Sequence, residues 1–98
     1  MTVPVRLTPA AERDIVLAAG WYFREAPHML AVFEEEIDRS FQRITEQPEM
    51  YQVVEATVRR ATVRRFPFSV FYMILPDCIE VIGIFHQSRD PRSWQRRV

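Results

Sequence analysis

The sequence predicts an α+β fold: an N-terminal strand, an antiparallel helical hairpin, then a three-stranded antiparallel meander. Three observations carry this reading. Apolar residues alternate with period two at the start of the chain, recur at helical spacing over residues 9–46, and return to period two from residue 59 onward. A chain of 98 residues supplies one small core, so residues 1–98 form a single domain.

Val3, Val5 and Leu7 alternate with Pro4 and Arg6, which predicts a strand over Thr2 to Leu7 with one buried face. Thr8-Pro9 then marks a helix start, because the hydroxyl caps free amides and proline has no N–H to waste at the first helical position. Ala11, Ile15, Ala18 and Tyr22 recur at helical spacing, and Ala26-Pro27 breaks the pattern, giving a helix over Pro9 to Glu25. Pro27 opens a second helix whose stripe of Leu30, Phe33, Ile37, Phe41 and Ile44 stops at Gln47-Pro48. Two helices joined by so short a break lie antiparallel, and their stripes need a sheet to cover. After an irregular Pro48 to Glu55, strands are expected at Arg59 to Phe66, Phe68 to Leu75 and Cys78 to His86, with a tight turn at Pro76-Asp77.

The last two strands are apolar on both faces. Phe68, Val70, Tyr72 and Ile74 share one side of theirs, with Ser69, Phe71, Met73 and Leu75 on the other. Strict alternation in the next strand sets Ile79, Val81 and Phe85 against Ile82 and Ile84. Such strands belong in a sheet covered on both sides, whereas two helices of this length cover one. The second face therefore needs the tail after Gln87, a second copy or a partner. The first helix adds to the excess, since Val16, Leu17, Trp21 and Phe23 lie outside its Ile15–Tyr22 stripe.

Hydrophobic residues make up 48% and charged residues 27%, a globular composition, and no apolar run approaches the roughly 18 residues of a membrane helix. Met1 to Arg6 lacks the basic start and apolar stretch of a secretory leader, and Cys78 has no disulfide partner, so a cytoplasmic location is expected. Cys78 itself reads as a small buried filler. Neither a cofactor nor a metal site is expected. The formal net charge of zero divides unevenly. Residues 1–58 hold five arginines against ten acids, a net −5, and residues 59–98 hold eight arginines against three acids, a net +5. Every cation is Arg rather than Lys, a planar fork suited to carboxylate or phosphate.

Three segments, L-T-P-A-A-E-R-D-I (Leu7 to Ile15), V-R-R-F-P-F-S-V-F-Y (Val63 to Tyr72 with its arginines) and F-H-Q-S-R-D-P-R-S-W (Phe85 to Trp94), occur in this order along the predicted elements. Together they resemble the RelE/ParE superfamily of toxins from type II toxin–antitoxin systems, and its ParE-like branch in particular. The resemblance implies a bacterial toxin, alone or in an oligomer with its antitoxin, neutralised by a ParD-like antitoxin whose extended segment wraps it. The ParE-like branch poisons DNA gyrase by binding. The RelE-like branch instead cuts messenger RNA on the ribosome, chemistry that needs cations over the phosphorane and a proton donor at the leaving oxygen.

The chain has no Lys, so Arg60 and Arg64 for phosphate and His86 for proton transfer are the residues a nuclease would have to use. Under the gyrase-binding reading, Arg59, Arg60, Arg64, Arg65, Arg89, Arg92 and Trp94 are the candidate target contacts. Val16, Trp21 and Phe23 are the candidate antitoxin contacts, because aromatic and arginine side chains are what desolvated interfaces are usually anchored by. Each has a structural alternative. The strand arginines can be a charged edge, His86 can cap its strand by bonding backbone or Asp90, Arg89 can pair with Asp90, and Trp94 can fold over apolar surface.

Overall fold

The computed structural model describes residues 3–97, so Thr2, included in the predicted first strand, lies outside the described residues. The elements run β1 (Val5–Leu7), α1 (Pro9–Glu25), a 3₁₀ turn (Pro27–Met29), α2 (Leu30–Glu46), β2 (Gln52–Glu55), β3 (Val58–Thr62), β4 (Phe68–Ile74), β5 (Ile79–His86) and α3 (Arg92–Gln95). The Thr8 hydroxyl accepts from the Ala11 N–H at 3.1 Å, and α1 stops before Pro27 with the Ala26 N–H on the Tyr22 carbonyl at 2.8 Å.

The five strands form one mixed sheet in the order β1-β5-β4-β3-β2, with β1 parallel to β5 and the other pairs antiparallel. The meander of β3, β4 and β5 follows the expected order, but the sheet is larger than the expected three strands plus one. Gln52–Glu55, read from sequence as irregular, forms β2 and extends the meander to four. Its connection to β3, Ala56-Thr57, contains none of the Gly or Asn residues that mark a tight hairpin, and Ala56 is forced to a φ of 49° to make the turn. β3 also ends early. Its ladder stops at Thr62, the Val63 N–H bonds the Phe68 carbonyl at 2.8 Å, and Arg65 turns the chain at a φ of 72°. Arg64 and Arg65 therefore stand on a turn, not on the strand.

The helices cover one sheet face. Phe33, Ile37 and Ile44 of α2, with Ala11, Ala18 and Tyr22 of α1, pack on Ala61, Val70, Tyr72, Ile79, Val81 and Ile84. Tyr22 stacks on Phe33 at 4.8 Å and meets Phe66 edge-on at 5.4 Å. The opposite face carries a second cluster of Val58, Phe71, Ile82, Phe85 and Trp94. The cover on that side is the chain's own tail, in which Trp94 on α3 is only 7% exposed and stacks on Phe71 at 5.2 Å.

A β-bulge explains how β5 serves both clusters. Phe71 pairs with Gly83 but Tyr72 pairs with Val81, leaving Ile82 as an extra residue that shifts the phase of everything after it. The helix face accordingly receives Ile79, Val81 and Ile84, and the tail face Ile82 and Phe85. Strict alternation had put Phe85 with Ile79 and Ile84 with Ile82. At the other end of β5, the Leu75 N–H bonds the Cys78 carbonyl at 2.8 Å across the expected Pro76-Asp77 turn, and Cys78 is buried.

Candidate functional site

β1 is three residues long and β5 is eight, so β5 outruns its parallel neighbour. The Thr8 N–H takes the Val81 carbonyl at 3.0 Å, and beyond that point the place of a neighbouring strand is filled by two side chains. Asp14 of α1 accepts the Ile84 N–H at 3.0 Å, and Arg97 donates to the Ile82 carbonyl at 3.0 Å. The two close on each other, Asp14 receiving both Nη atoms of Arg97 at 2.5 and 3.1 Å. This partly buried, bidentate pair ties the first helix to the end of the tail. The Arg97 guanidinium also lies 4.4 Å from the centre of the Phe85 ring. Gly83 is required beside it, since a Cβ there would fall 2.7 Å from Arg97 Nη1 and 2.7 Å from the Phe85 ring. Neither Asp14 nor the pairing of Arg97 follows from sequence spacing, because they are 83 residues apart.

Next to this clasp, α1 and the adjoining ends of β4 and β5 enclose a largely apolar hollow of about 410 Å³, bordered by Leu17, Trp21, Tyr22, Phe68, His86 and Arg89. The outer face of α1 is bare, with Val16 69%, Leu17 72%, Trp21 52% and Phe23 66% exposed. Val16, Trp21 and Phe23 thus lie at the surface, and Leu17 and Trp21 form the rim of the hollow.

The remaining predicted residues divide between two further depressions. A small pocket of about 110 Å³ on the tail face is bordered by Arg60, Ser69, His86, Arg89, Asp90 and Trp94. A separate open furrow of about 460 Å³ is bordered by Arg43, Tyr51, Gln52, Arg60, Thr62 and Arg64. Arg60 and Thr62 share the tail face of β3 as alternation required, and Arg64 reaches the same furrow from the following turn. Arg60 therefore meets His86 in one depression and Arg64 in the other, and the three do not converge.

Several tail residues take partners other than those expected. Asp90 pairs with Arg92 at 2.7 Å rather than with Arg89, and also accepts the Arg92 backbone N–H at 2.9 Å. These bonds hold the Asp90 carboxyl below the usual carboxylate range. Arg89 instead lies over the Phe85 ring at 5.2 Å. His86 does not bond Asp90 but does bond backbone just past its strand, one of the two structural alternatives for it. Its Nδ1 accepts the Ser88 N–H at 3.0 Å and lies 2.7 Å from the Ser88 hydroxyl. Trp94, a candidate target contact, is a core residue whose ring is hidden against Phe71, so the packing alternative holds for it. Arg59 is also committed internally, donating to the Glu49 and Tyr51 carbonyls at 3.0 and 2.7 Å. Arg60, Arg64, Arg65, Arg89 and Arg92 remain exposed.

Among the described residues no helix is long and apolar enough to cross a membrane. A family model described as the ParE toxin of the type II toxin–antitoxin system parDE matches residues 5–91. No curated protein matches the chain. Among solved structures it is similar to a chain of the chromosomal ParDE toxin–antitoxin system from P. aeruginosa, with a TM-score of 0.75 and 17% identity over 87% of this chain and 96% of that one. It is also similar to the isolated E. coli RelE toxin, with a TM-score of 0.62 and 10% identity over 96% and 94% of the two chains. A chain of the RelBE2 toxin–antitoxin complex from Mycobacterium tuberculosis gives a TM-score of 0.59 and 20% identity over 88% and 99%. At such identities these structures speak for the fold, while the family model speaks for the sequence. With residues 5–91, from its first strand through the meander, matched by that family model, the chain belongs to the ParE toxin family of type II toxin–antitoxin systems.

Proposed function

We propose that this toxin acts by binding DNA gyrase and that a ParD-like antitoxin neutralises it by covering the outer face of α1. The observation that carries the binding mode over catalysis is the division of Arg60, Arg64 and His86 between two depressions. Phosphoryl chemistry needs its cations and its proton donor around one phosphate, and here His86, the donor read from the sequence, does not share a site with the arginine pair. The exposed Arg60, Arg64, Arg65, Arg89 and Arg92 supply the target contacts. Val16, Leu17, Trp21 and Phe23 supply the apolar surface an antitoxin would desolvate. The resemblance of this chain to the toxin of a ParDE system supports the choice of gyrase.

The test is a supercoiling assay with purified gyrase, the chain alone, and the chain after addition of its antitoxin. Loss of supercoiling that the antitoxin reverses is expected. Normal supercoiling together with ribosome-dependent transcript cleavage would transfer the toxin to the nuclease class. One observation favours that second reading, the presence of Arg60 and His86 around the same small pocket. It requires that His86→Ala and Arg64→Ala each abolish growth arrest while antitoxin binding persists.

A further inference from the structure

The furrow bordered by Arg43, Arg60 and Arg64 is built from three distant parts of the chain, and its walls are held in place from behind. One wall is the segment leading into β2, around Tyr51 and Gln52. It is fixed by the Arg59 guanidinium on the Glu49 and Tyr51 carbonyls, by the Tyr72 hydroxyl on the Pro48 carbonyl at 2.6 Å, and by the Tyr51 ring edge-on to Tyr72 at 6.4 Å. The facing wall is β3 with Arg60 and Thr62, followed by the turn that carries Arg64. Arg43 enters from the last turn of α2, its guanidinium donating to the Ser40 hydroxyl at 3.2 Å.

The charge of the furrow is one-sided. No Asp or Glu borders it among the described residues, and none of its three arginines makes an ion pair there, whereas Arg39, Arg92 and Arg97 all do. Unpaired guanidiniums on rigid walls, with an aromatic ring and an amide between them, match a chain of phosphodiesters better than a carboxylate or a neutral peptide. We infer that this furrow binds the phosphate backbone of nucleic acid, so that the toxin contacts DNA directly as well as any protein target. The contact reads backbone and not sequence, because guanidiniums at phosphates position a protein without specifying bases. It is also independent of pH across the physiological range, since every cation involved is an arginine.

The experiment uses the full chain, a fluorescent duplex of about 20 base pairs and anisotropy at several salt concentrations, with no gyrase present, so that it stands or falls separately from the gyrase reading. Three phosphate contacts predict a slope of about −2.7 in log K against log salt, and Arg43→Gln with Arg64→Gln should reduce it to about −0.9. At ~0.1 M salt that change corresponds to a loss of about 60-fold in affinity. Arg24→Gln with Arg39→Gln, which removes two charges elsewhere on the helices, should change affinity by less than about threefold, and circular dichroism verifies that both double variants are folded. A single-stranded RNA of equal length separates the two nucleic acids, with binding to both expected and a shallower slope of about −0.7 per contact for the RNA. Absence of binding, equal losses in the two double variants, or displacement of the duplex by poly-glutamate at equal charge would overturn the inference.

Discussion

Trp94→Ala is the sharpest test of how the sheet is covered. The Trp94 ring is 7% exposed, stacks on Phe71 at 5.2 Å with 24° between planes, and completes the cluster of Val58, Phe71, Ile82 and Phe85. Truncating a buried Trp costs roughly 3–5 kcal/mol from lost transfer energy and the cavity left behind. The lower end applies, because α3 is four residues long and the tail can settle partly into the gap. About 3 kcal/mol is a large share of the 5–15 kcal/mol that holds a typical domain together. For a chain of this size it lowers the melting temperature on the order of 15 °C. Urea denaturation followed by far-ultraviolet circular dichroism measures it, and a hydrophobic dye should bind the variant under conditions where it ignores the parent. A change below about 1 kcal/mol would mean that the tail does not cover this face, and the second core would need another account.

Four further outcomes follow from the same contacts. Asp14→Ala and Arg97→Ala should each destabilise by about 2 kcal/mol through the partner left buried, with a coupling of at least about 1 kcal/mol in the double-mutant cycle; strictly additive effects would dissolve the clasp. Gly83→Ala should destabilise despite an ordinary backbone conformation, because its methyl needs the space of Arg97 and Phe85, and the loss should shrink when Arg97 is also truncated. Ala56→Gly should stabilise by up to about 1 kcal/mol by relieving its left-handed backbone, read as a rise in denaturation midpoint. Burial pushes the Tyr72 hydroxyl up to about 12 and raises Tyr22 as well, so the unfolded chain loses these protons first. The contribution of these tyrosines should be level below pH 10 and fall as pH rises from 10 towards 12, and Tyr72→Phe should flatten that decline while costing about 1 kcal/mol near neutrality for the lost bond to Pro48.

The parts of the fold legible in sequence are those written in periodicity and helix punctuation. Thr8-Pro9, Ala26-Pro27 and the stripe from Leu30 to Ile44 place both helices to within a few residues. The two-sided apolarity of β4 and β5 announced a second core before its cover was known. What escaped is local and backbone-driven. β2 is held by pairing with β3 and by a strained alanine turn, neither of which has a composition signal. The bulge at Ile82 did have one, since an isolated Gly inside a strand marks such a position, and weighing Gly83 in that way would have assigned Ile84 and Phe85 to their correct faces. The candidate site was legible by residue type but not by grouping. Arg60, Arg64 and His86 lie at the surface, yet only the sheet decides that Arg60 borders both depressions, and Arg43 joins them from a helix that sequence gave no reason to consult.

The Asp14–Arg97 clasp has a consequence for how the two halves of opposite charge hold together. β1 is too short to line the far half of β5, so the open Ile82 carbonyl and Ile84 N–H would otherwise invite a foreign strand. Closing that edge with one residue from α1 and one from the tail satisfies both backbone groups and makes the first helix and the last residues depend on each other. The bare apolar stripe from Val16 to Phe23 lies on this same helix, within three turns of Asp14. The same Arg97 lies over Phe85, which packs in the cluster that Trp94 closes on the opposite side of the sheet. The helix that carries the bare face is thus joined to the cationic tail by the Asp14–Arg97 pair, in addition to the packing of its Ala11, Ala18 and Tyr22 on the sheet.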